Sequence, residues 1–153
     1  MKKTVTVLTA IAMLFATGTF AMDGDNVTAK VAAAFKSDFS QAGKVTWEKK
    51  SEFYFASFQI NAMDVDAAYN EAGELLGTSR KIALEQAPLN VSMMLSKKYE
   101  GYRYSNDVYE ITFEGQTCYY LSVENEKQVL QLKCSGDGSI EVQAKTKKAP
   151  VKS

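Results

Sequence analysis

The chain has no histidine among its 153 residues. That removes the commonest metal ligand and the commonest general base. A Ser-His-Asp or Cys-His arrangement cannot be assembled from it. Its two cysteines are too few for a zinc site of the usual Cys/His types. Neither a G-x-G-x-x-G run nor a phosphate-loop pattern occurs. No apolar run reaches the roughly 20 residues that a membrane-spanning helix needs. These absences argue against an enzyme, a bound cofactor and an integral membrane protein. They leave a binding or structural role.

What is present begins with a targeting pattern. Lys2 and Lys3 precede an apolar stretch, Val5 to Ala16, interrupted only by Thr6 and Thr9. Thr19-Phe20-Ala21 then puts small residues at the −3 and −1 positions of a cleavage site. This predicts a secretory signal peptide over residues 1–21 and a periplasmic or secreted mature chain starting near Met22. No cysteine follows the cleavage site, so a lipid anchor is not indicated. Removing Lys2 and Lys3 turns the balance of 18 basic and 18 acidic residues slightly acidic. That gives no electrostatic case for nucleic acid or anionic lipid. Lys145, Lys147, Lys148 and Lys152 gather at the end with Pro150, and residues 147–153 read as a disordered basic tail.

Between leader and tail lies an internal echo. Tyr54 to Phe58 (Y-F-A-S-F) recurs 65 positions later as Tyr119 to Val123 (Y-Y-L-S-V). Ala67 and Tyr69 match Leu132 and Cys134 at the same offset, and Gly73 with Leu75 matches Gly138 with Ile140. A fixed offset across separate segments predicts a duplicated unit. Residues 22–146 then form one domain of two repeats, 27–83 and 87–145.

Each repeat reads as a helix followed by four strands. Val27, Val31, Ala34, Phe35 and Phe39 fall at helical spacing, with Asp25 or Asn26 as the cap. Val45 and Trp47 then alternate with polar neighbours, and Lys49-Lys50-Ser51-Glu52 turns the chain. Phe53–Ile60 is a strand, Asn61-Ala62-Met63 a turn, and Val65, Ala67 and Tyr69 mark a third strand. Glu71-Ala72-Gly73 turns into a fourth, residues 74–83. In the second repeat Pro88 occupies a first helical position. Val91, Met94, Leu95 and Tyr99 mark the buried helix face, at an offset of 60 from the first helix. Residues 102–114 form a long strand region, 117–124 and 128–134 a hairpin, and 139–144 the last strand. The class is α+β: a tandem repeat of helix plus four-stranded antiparallel meander, with the helices on one face.

Alternation assigns the faces. Tyr54, Ala56, Phe58, Val65, Ala67 and Tyr69 point toward the first helix. Tyr119, Leu121, Val123, Leu130, Leu132 and Cys134 do the same in the second repeat. Trp47 shares the inward face with Val45. The opposite face carries Phe53, Phe55, Ser57 and Gln59 from one repeat and Cys118, Tyr120, Ser122, Gln131 and Lys133 from the other. An antiparallel sheet can leave one face wet, so Phe53, Phe55 and Tyr120 there are an aromatic surplus.

A helix, then V-T-W-E, then Y-F-A-S-F, then a tyrosine strand closed by N-E-A-G-E-L-L, resembles the PepSY-like, beta-lactamase-inhibitor-like family of exported bacterial proteins. Val45, Trp47, Glu48, Tyr54, Ala56, Phe58, Tyr69, Gly73, Glu74 and Leu75 carry the resemblance, with Ala87-Pro88 and Tyr99-Glu100-Gly101-Tyr102. It covers nearly all of residues 27–145. It implies helices packed on one side of a curved antiparallel sheet, in a family that generally lacks an assigned activity. Ala87 stands where that family often has Leu. Asn70 stands where it commonly has an aromatic residue or Asp.

Other groups carry less. A two-residue hairpin turn at Asn125-Glu126 pairs Tyr119 with Leu132 and sets Cys134 opposite Thr117, with Cys118 a surface thiol on the other face. A three-residue turn would put Cys118 opposite Cys134 and permit a disulfide, but it would set Leu121 against Gln131. Asp64, Asp66 and Glu71 lie on a strand without the glycine of a calcium loop and read as a solvated edge. Glu48, Glu52 and Glu110 show no pattern that predicts burial. The sequons at Asn26 and Asn90 are discounted beside a bacterial-type leader. The expected function is a non-catalytic exported binding module, protein-binding or hydrolase-inhibitor-like, working through the helix-free sheet face. Its partner would be an envelope or extracellular protein. The alternative is a self-associating envelope protein, a homodimer through the same face.

Overall fold

The computed structural model describes residues 27–150. The expected leader, the expected caps Asp25 and Asn26, and the last three residues of the expected tail lie outside that range. Two α-helices, one 3-10 helix (Leu84–Gln86) and nine strands are formed among the described residues, an α+β composition. They divide into two compact units. One comprises residues up to 80 together with 112–115; the other comprises 81–111 and 116 onward.

In the first unit, helix α1 (Ala29–Asp38) starts at Thr28, whose hydroxyl accepts from the Val31 amide at 3.3 Å. Val31 and Phe35 are its buried residues. Strands β1 (Thr46–Lys50), β2 (Phe53–Ile60), β3 (Met63–Asn70) and β4 (Leu75–Ile82) follow as a meander. Lys49 and Lys50 belong to β1, so the first turn is tighter than expected. Ser51 takes a positive φ there, which lets two residues reverse the chain. Register matches the alternation: Tyr54 faces Tyr69, Ala56 faces Ala67, and Phe58 faces Val65. Asn70 closes the next turn. Its side-chain oxygen accepts from the Glu74 amide at 3.0 Å, and its carbonyl accepts from the Gly73 amide. The core is Val31, Phe35, Trp47, Tyr54, Ala56, Phe58, Ala67 and Tyr69. Trp47 meets Phe35 edge-on at 5.3 Å, and Tyr69 donates to Asp38 at 2.9 Å.

In the second unit, α2 (Leu89–Lys98) has Pro88 as its cap rather than its first turn. Val91, Leu95 and Tyr99 are buried, but Met94 is 40% exposed, at the rim of the helix face. The expected long strand over 102–114 is broken into β5 (Arg103–Tyr104) and β6 (Val108–Phe113). Between them the Ser105 hydroxyl donates to the Asp107 carbonyl, which turns the backbone locally. The Tyr104 hydroxyl lies 3.2 Å from the carbonyls of both Leu95 and Tyr99 at the end of α2. Strands β7 (Gln116–Glu124), β8 (Gln128–Ser135) and β9 (Ile140–Lys147) run in order, with β5 beside β7.

The β7–β8 hairpin corrects the expected register. Tyr119 faces Cys134, Leu121 faces Leu132, and Val123 faces Leu130. The Asn125 side chain accepts from the amides of Lys127 and Gln128, which widens the turn. The slip is two residues, an even number, so every side chain keeps its face. Cys134 therefore lies opposite Tyr119, not Thr117. β9 also runs further than expected. Lys147 pairs with Gln128, and the Lys148 amide donates to the Lys127 carbonyl, so this part of the tail is docked.

Candidate interaction face

In the first unit, the sheet face turned away from α1 is built in cross-strand rows. One row runs Glu48, Phe55, Ala68, Gly77. A second runs Ser57, Asp66, Ser79. The Phe113 ring lies over Gly77: a Cβ there would meet it at 3.1 Å and the Thr112 carbonyl at 2.5 Å. Gly77 is thus the gap that lets Phe113 settle on this face. Phe55 is 5% exposed and has the Lys50 ammonium 5.5 Å from its ring. Lys50 in turn pairs with Glu48 at 3.2 Å.

The expected wet face is thus only partly wet. Phe53 is half-buried, Ser57 and Gln59 are exposed, and Phe55 is buried. Alternation tells which side of a sheet a residue lies on; it does not tell whether neighbouring rows cover it. Ser57 donates to Asp66, and Gln59 donates to Asp64 at 2.7 Å. Burial pushes the Asp66 carboxyl above its usual range. The Ser57 hydrogen bond opposes that shift, and the Asp64 charge adds to it. Glu71 pairs with Lys49, so Asp64, Asp66 and Glu71 each have a different partner. Among the described residues no cluster of acidic or thiol groups could hold a metal ion.

In the second unit the corresponding face has the row Tyr120, Lys133, Glu141. Lys133 is 8% exposed, and its ammonium lies 3.9 Å from the Glu141 carboxylate. A buried ammonium without such a partner would be strongly destabilising. Cys118 is also buried, which corrects its reading as a surface thiol. Tyr120 and Ser122 are half-buried, and Gln131 is exposed. Burial pushes the Tyr120 hydroxyl up to about 12, with Cys118 and Glu141 adding to the shift. Ile111 is buried without belonging to the helix-side core. Ile111 and Phe113 were missed in the sequence because residues 102–114 were read as one unbroken strand with no faces assigned. Their spacing to Val108, which is in the helix-side core, was the available signal.

Chemically, each face combines an apolar floor with a polar rim. The fold has solved counterparts. A DUF2874 family protein from Bacteroides ovatus ATCC 8483 superposes with a TM-score of 0.69 at 19% identity, over 81% of this chain and 89% of that one. A BLIP-like protein from Bacteroides fragilis NCTC 9343 gives 0.66 at 18% identity, over 78% and 85%. A presumed periplasmic protein from Bacteroides eggerthii DSM 20697 gives 0.66 at 19% identity, over 84% and 90%. At these identities the likeness is one of fold. The chain therefore has a BLIP-like α+β fold. No sequence-family profile matches it, and no curated protein matches it in sequence.

Proposed function

We propose that this chain is a non-catalytic exported binding module that contacts another protein through its helix-free sheet faces. The observation that carries this reading is the apolar floor on those faces, Phe55, Ala68 and Phe113 in one unit and Ile111 and Cys118 in the other, with no helix-side core to account for it. Half-buried Phe53 and Tyr120 supply the contact area, and Ser57, Gln59, Ser122 and Gln131 form a polar rim. Lys133 is held beneath by Glu141. Binding energy in protein interfaces concentrates in such aromatic anchors surrounded by polar groups. Export rests on the leader pattern and is supported by the presumed periplasmic structural neighbour. The BLIP-like neighbour supports a protein-binding role by analogy of fold. The PepSY-like relationship and the duplicated design belong to the same reading. The duplication is supported by Gly73 and Gly138, 65 positions apart, which both have positive φ.

The test is quantitative capture from the organism's own envelope extract. Phe53→Ser and Tyr120→Ser should each reduce recovery of the captured protein, while Met93→Ser, at an exposed apolar residue of α2 on the other side of its unit, should not. Equal recovery with folded variants would remove these faces from the interaction. A sedimentation profile that shifts to a dimer with concentration, and back on Tyr120→Ser, would assign the surface to self-association instead.

A further inference from the structure

We propose that the free edge of β9 is a second docking surface, one that accepts an extended acidic segment of a partner protein as an added strand. β9 is paired on one side only among the described residues, ending the strand order of its unit. Its other side presents unpaired backbone donors and acceptors, a template for strand addition. The edge is eight residues long.

Its side chains state what fits. A register shift between Gln131 and Leu132 skips Gln143, so Val142 faces Leu132 and Lys145 faces Leu130. Leu130, Leu132 and Cys134 belong to the helix-side core. Ile140, Val142, Lys145 and Lys147 therefore line the helix side of the edge. Val142 is 51% exposed, and Ile140 is only partly buried against the core. On this side the first half of the edge is apolar and the second half is cationic; Glu141 lies on the opposite side, beside Lys133 at 3.9 Å. Neither Lys145 nor Lys147 is engaged in an ion pair among the described residues, whereas Lys148 is held by Glu124 at 2.8 Å.

This distribution disfavours a second copy. Antiparallel β9–β9 pairing that keeps the sheet faces matched would set Lys145 against Val142 and Lys147 against Ile140. The lysines of both copies would be left without carboxylates. Edge lysines discourage pairing between identical strands. The same charges select an acidic segment, whose apolar half would cover Val142.

The probe is a fluorescein-labelled peptide of about ten residues, alternating Val and Thr in one half and Glu and Thr in the other. Fluorescence anisotropy with the mature protein should show saturable binding. Replacing the peptide's Glu by Lys should weaken it at least about tenfold. N-methylation of alternate peptide amides, which removes the edge hydrogen bonds, should abolish binding to the unaltered protein. Lys145→Glu with Lys147→Glu should reverse the charge preference. Any of three results overturns the proposal. The first is no saturable binding up to about 1 mM; the second is equal binding of acidic and basic peptides; the third is indifference to N-methylation. A concentration-dependent dimer abolished by the double substitution would also overturn it, assigning the edge to a second copy. Phe53→Ser and Tyr120→Ser should leave this binding unchanged, which separates it from the sheet-face reading.

Discussion

The Cβ position of Gly73 lies 3.3 Å from the carbonyl oxygen of Lys30, where the β3–β4 turn passes under α1. It also lies 3.5 Å from the Ala34 Cβ, and the residue has φ +77°. In the second unit, Gly138 has φ +90°, and a Cβ there would lie 3.1 Å from the Asn90 carbonyl oxygen and 3.0 Å from the Met94 Cγ. Lys30 to Asn90 and Ala34 to Met94 each span 60 positions, and Gly73 to Gly138 spans 65. The same contact made at the two offsets is what a duplicated unit with a lengthened helix-to-strand connection would leave.

Gly73→Ala should therefore destabilise the protein by about 1–2 kcal/mol from the left-handed backbone alone, with crowding adding to it. Gly101 is the control. It has φ +80° and nothing within 4 Å, so Gly101→Ala should cost only the conformational part. Urea denaturation of both variants checks this. Equal losses would mean that α1 yields freely at Lys30.

Trp47→Ala should cost about 3–5 kcal/mol, the range for truncating a large buried aromatic. The indole is buried between Phe35 and Tyr69. Against a total stability of about 5–15 kcal/mol, this variant should be close to unfolding. A loss well under 1 kcal/mol in chemical denaturation would place Trp47 outside the core.

Much of this was legible in the sequence. Strand faces follow from period-two alternation, so the helix-side faces of β2, β3, β7 and β8 were readable residue by residue, whereas Ile82 and Val108 of the second core were not assigned. The Asn125 turn was not, because its width depends on a side chain that accepts two backbone amides. The burial of Phe55 was not legible either. It depends on what lies in adjacent rows, and Phe113 reaches its place over Gly77 from a strand distant in sequence. The break at Ser105 was hidden for a similar reason: one hydroxyl decides it, not a pattern.

Truncation after Thr146 should lower the melting temperature, whereas truncation after Lys148 should not. The difference lies in the Lys147–Gln128 pairing, the Lys148 amide bonded to Lys127, and the ion pair to Glu124. The Lys148 hydrogen bond and the Arg103 charge hold the Glu124 carboxyl below its usual range. A depressed carboxyl stabilises the fold above its unfolded value, and that stability is lost as pH falls through the folded value. Lys148→Met should therefore lower the melting temperature at pH 7 and matter less well below pH ~4. A pH-independent effect would assign the loss to packing of the lysine stem.

Asp66 should behave in the opposite sense. Burial raises its carboxyl, so folding disfavours the charged form. Its fullest contribution lies below the unfolded value of about 3.9, and stability falls as pH rises through the folded value. Asp66→Asn keeps an acceptor for the Ser57 hydroxyl and removes the half-buried charge. It should raise the melting temperature at pH 7, with the gain vanishing near pH ~3. A loss of stability at pH 7 would mean that the Ser57 bond to the carboxylate outweighs its desolvation.

The cysteines test the hairpin itself. Cys118 faces Ser135 and Cys134 faces Tyr119, so the two side chains leave β7 and β8 on opposite faces. Both thiols are free and buried, and burial pushes Cys134 up to about 11. Burial shields both thiols from a bulky reagent, and at Cys134 it also disfavours the thiolate that attacks disulfide reagents, so neither should react in the folded protein. A bulky reagent should modify no cysteine under native conditions and both after denaturation, and a reductant should leave the melting temperature unchanged. One reactive thiol in the folded protein would mean that the face bearing Cys118 is open to solvent, and the apolar floor proposed for binding in that unit would be shallower than it is here. A mass two units below the reduced form would require Cys118 and Cys134 on one face, a hairpin shifted by an odd number of residues. Tyr120 and Lys133 would then no longer share a row, and the second-unit contact surface would have to be rebuilt around Tyr119.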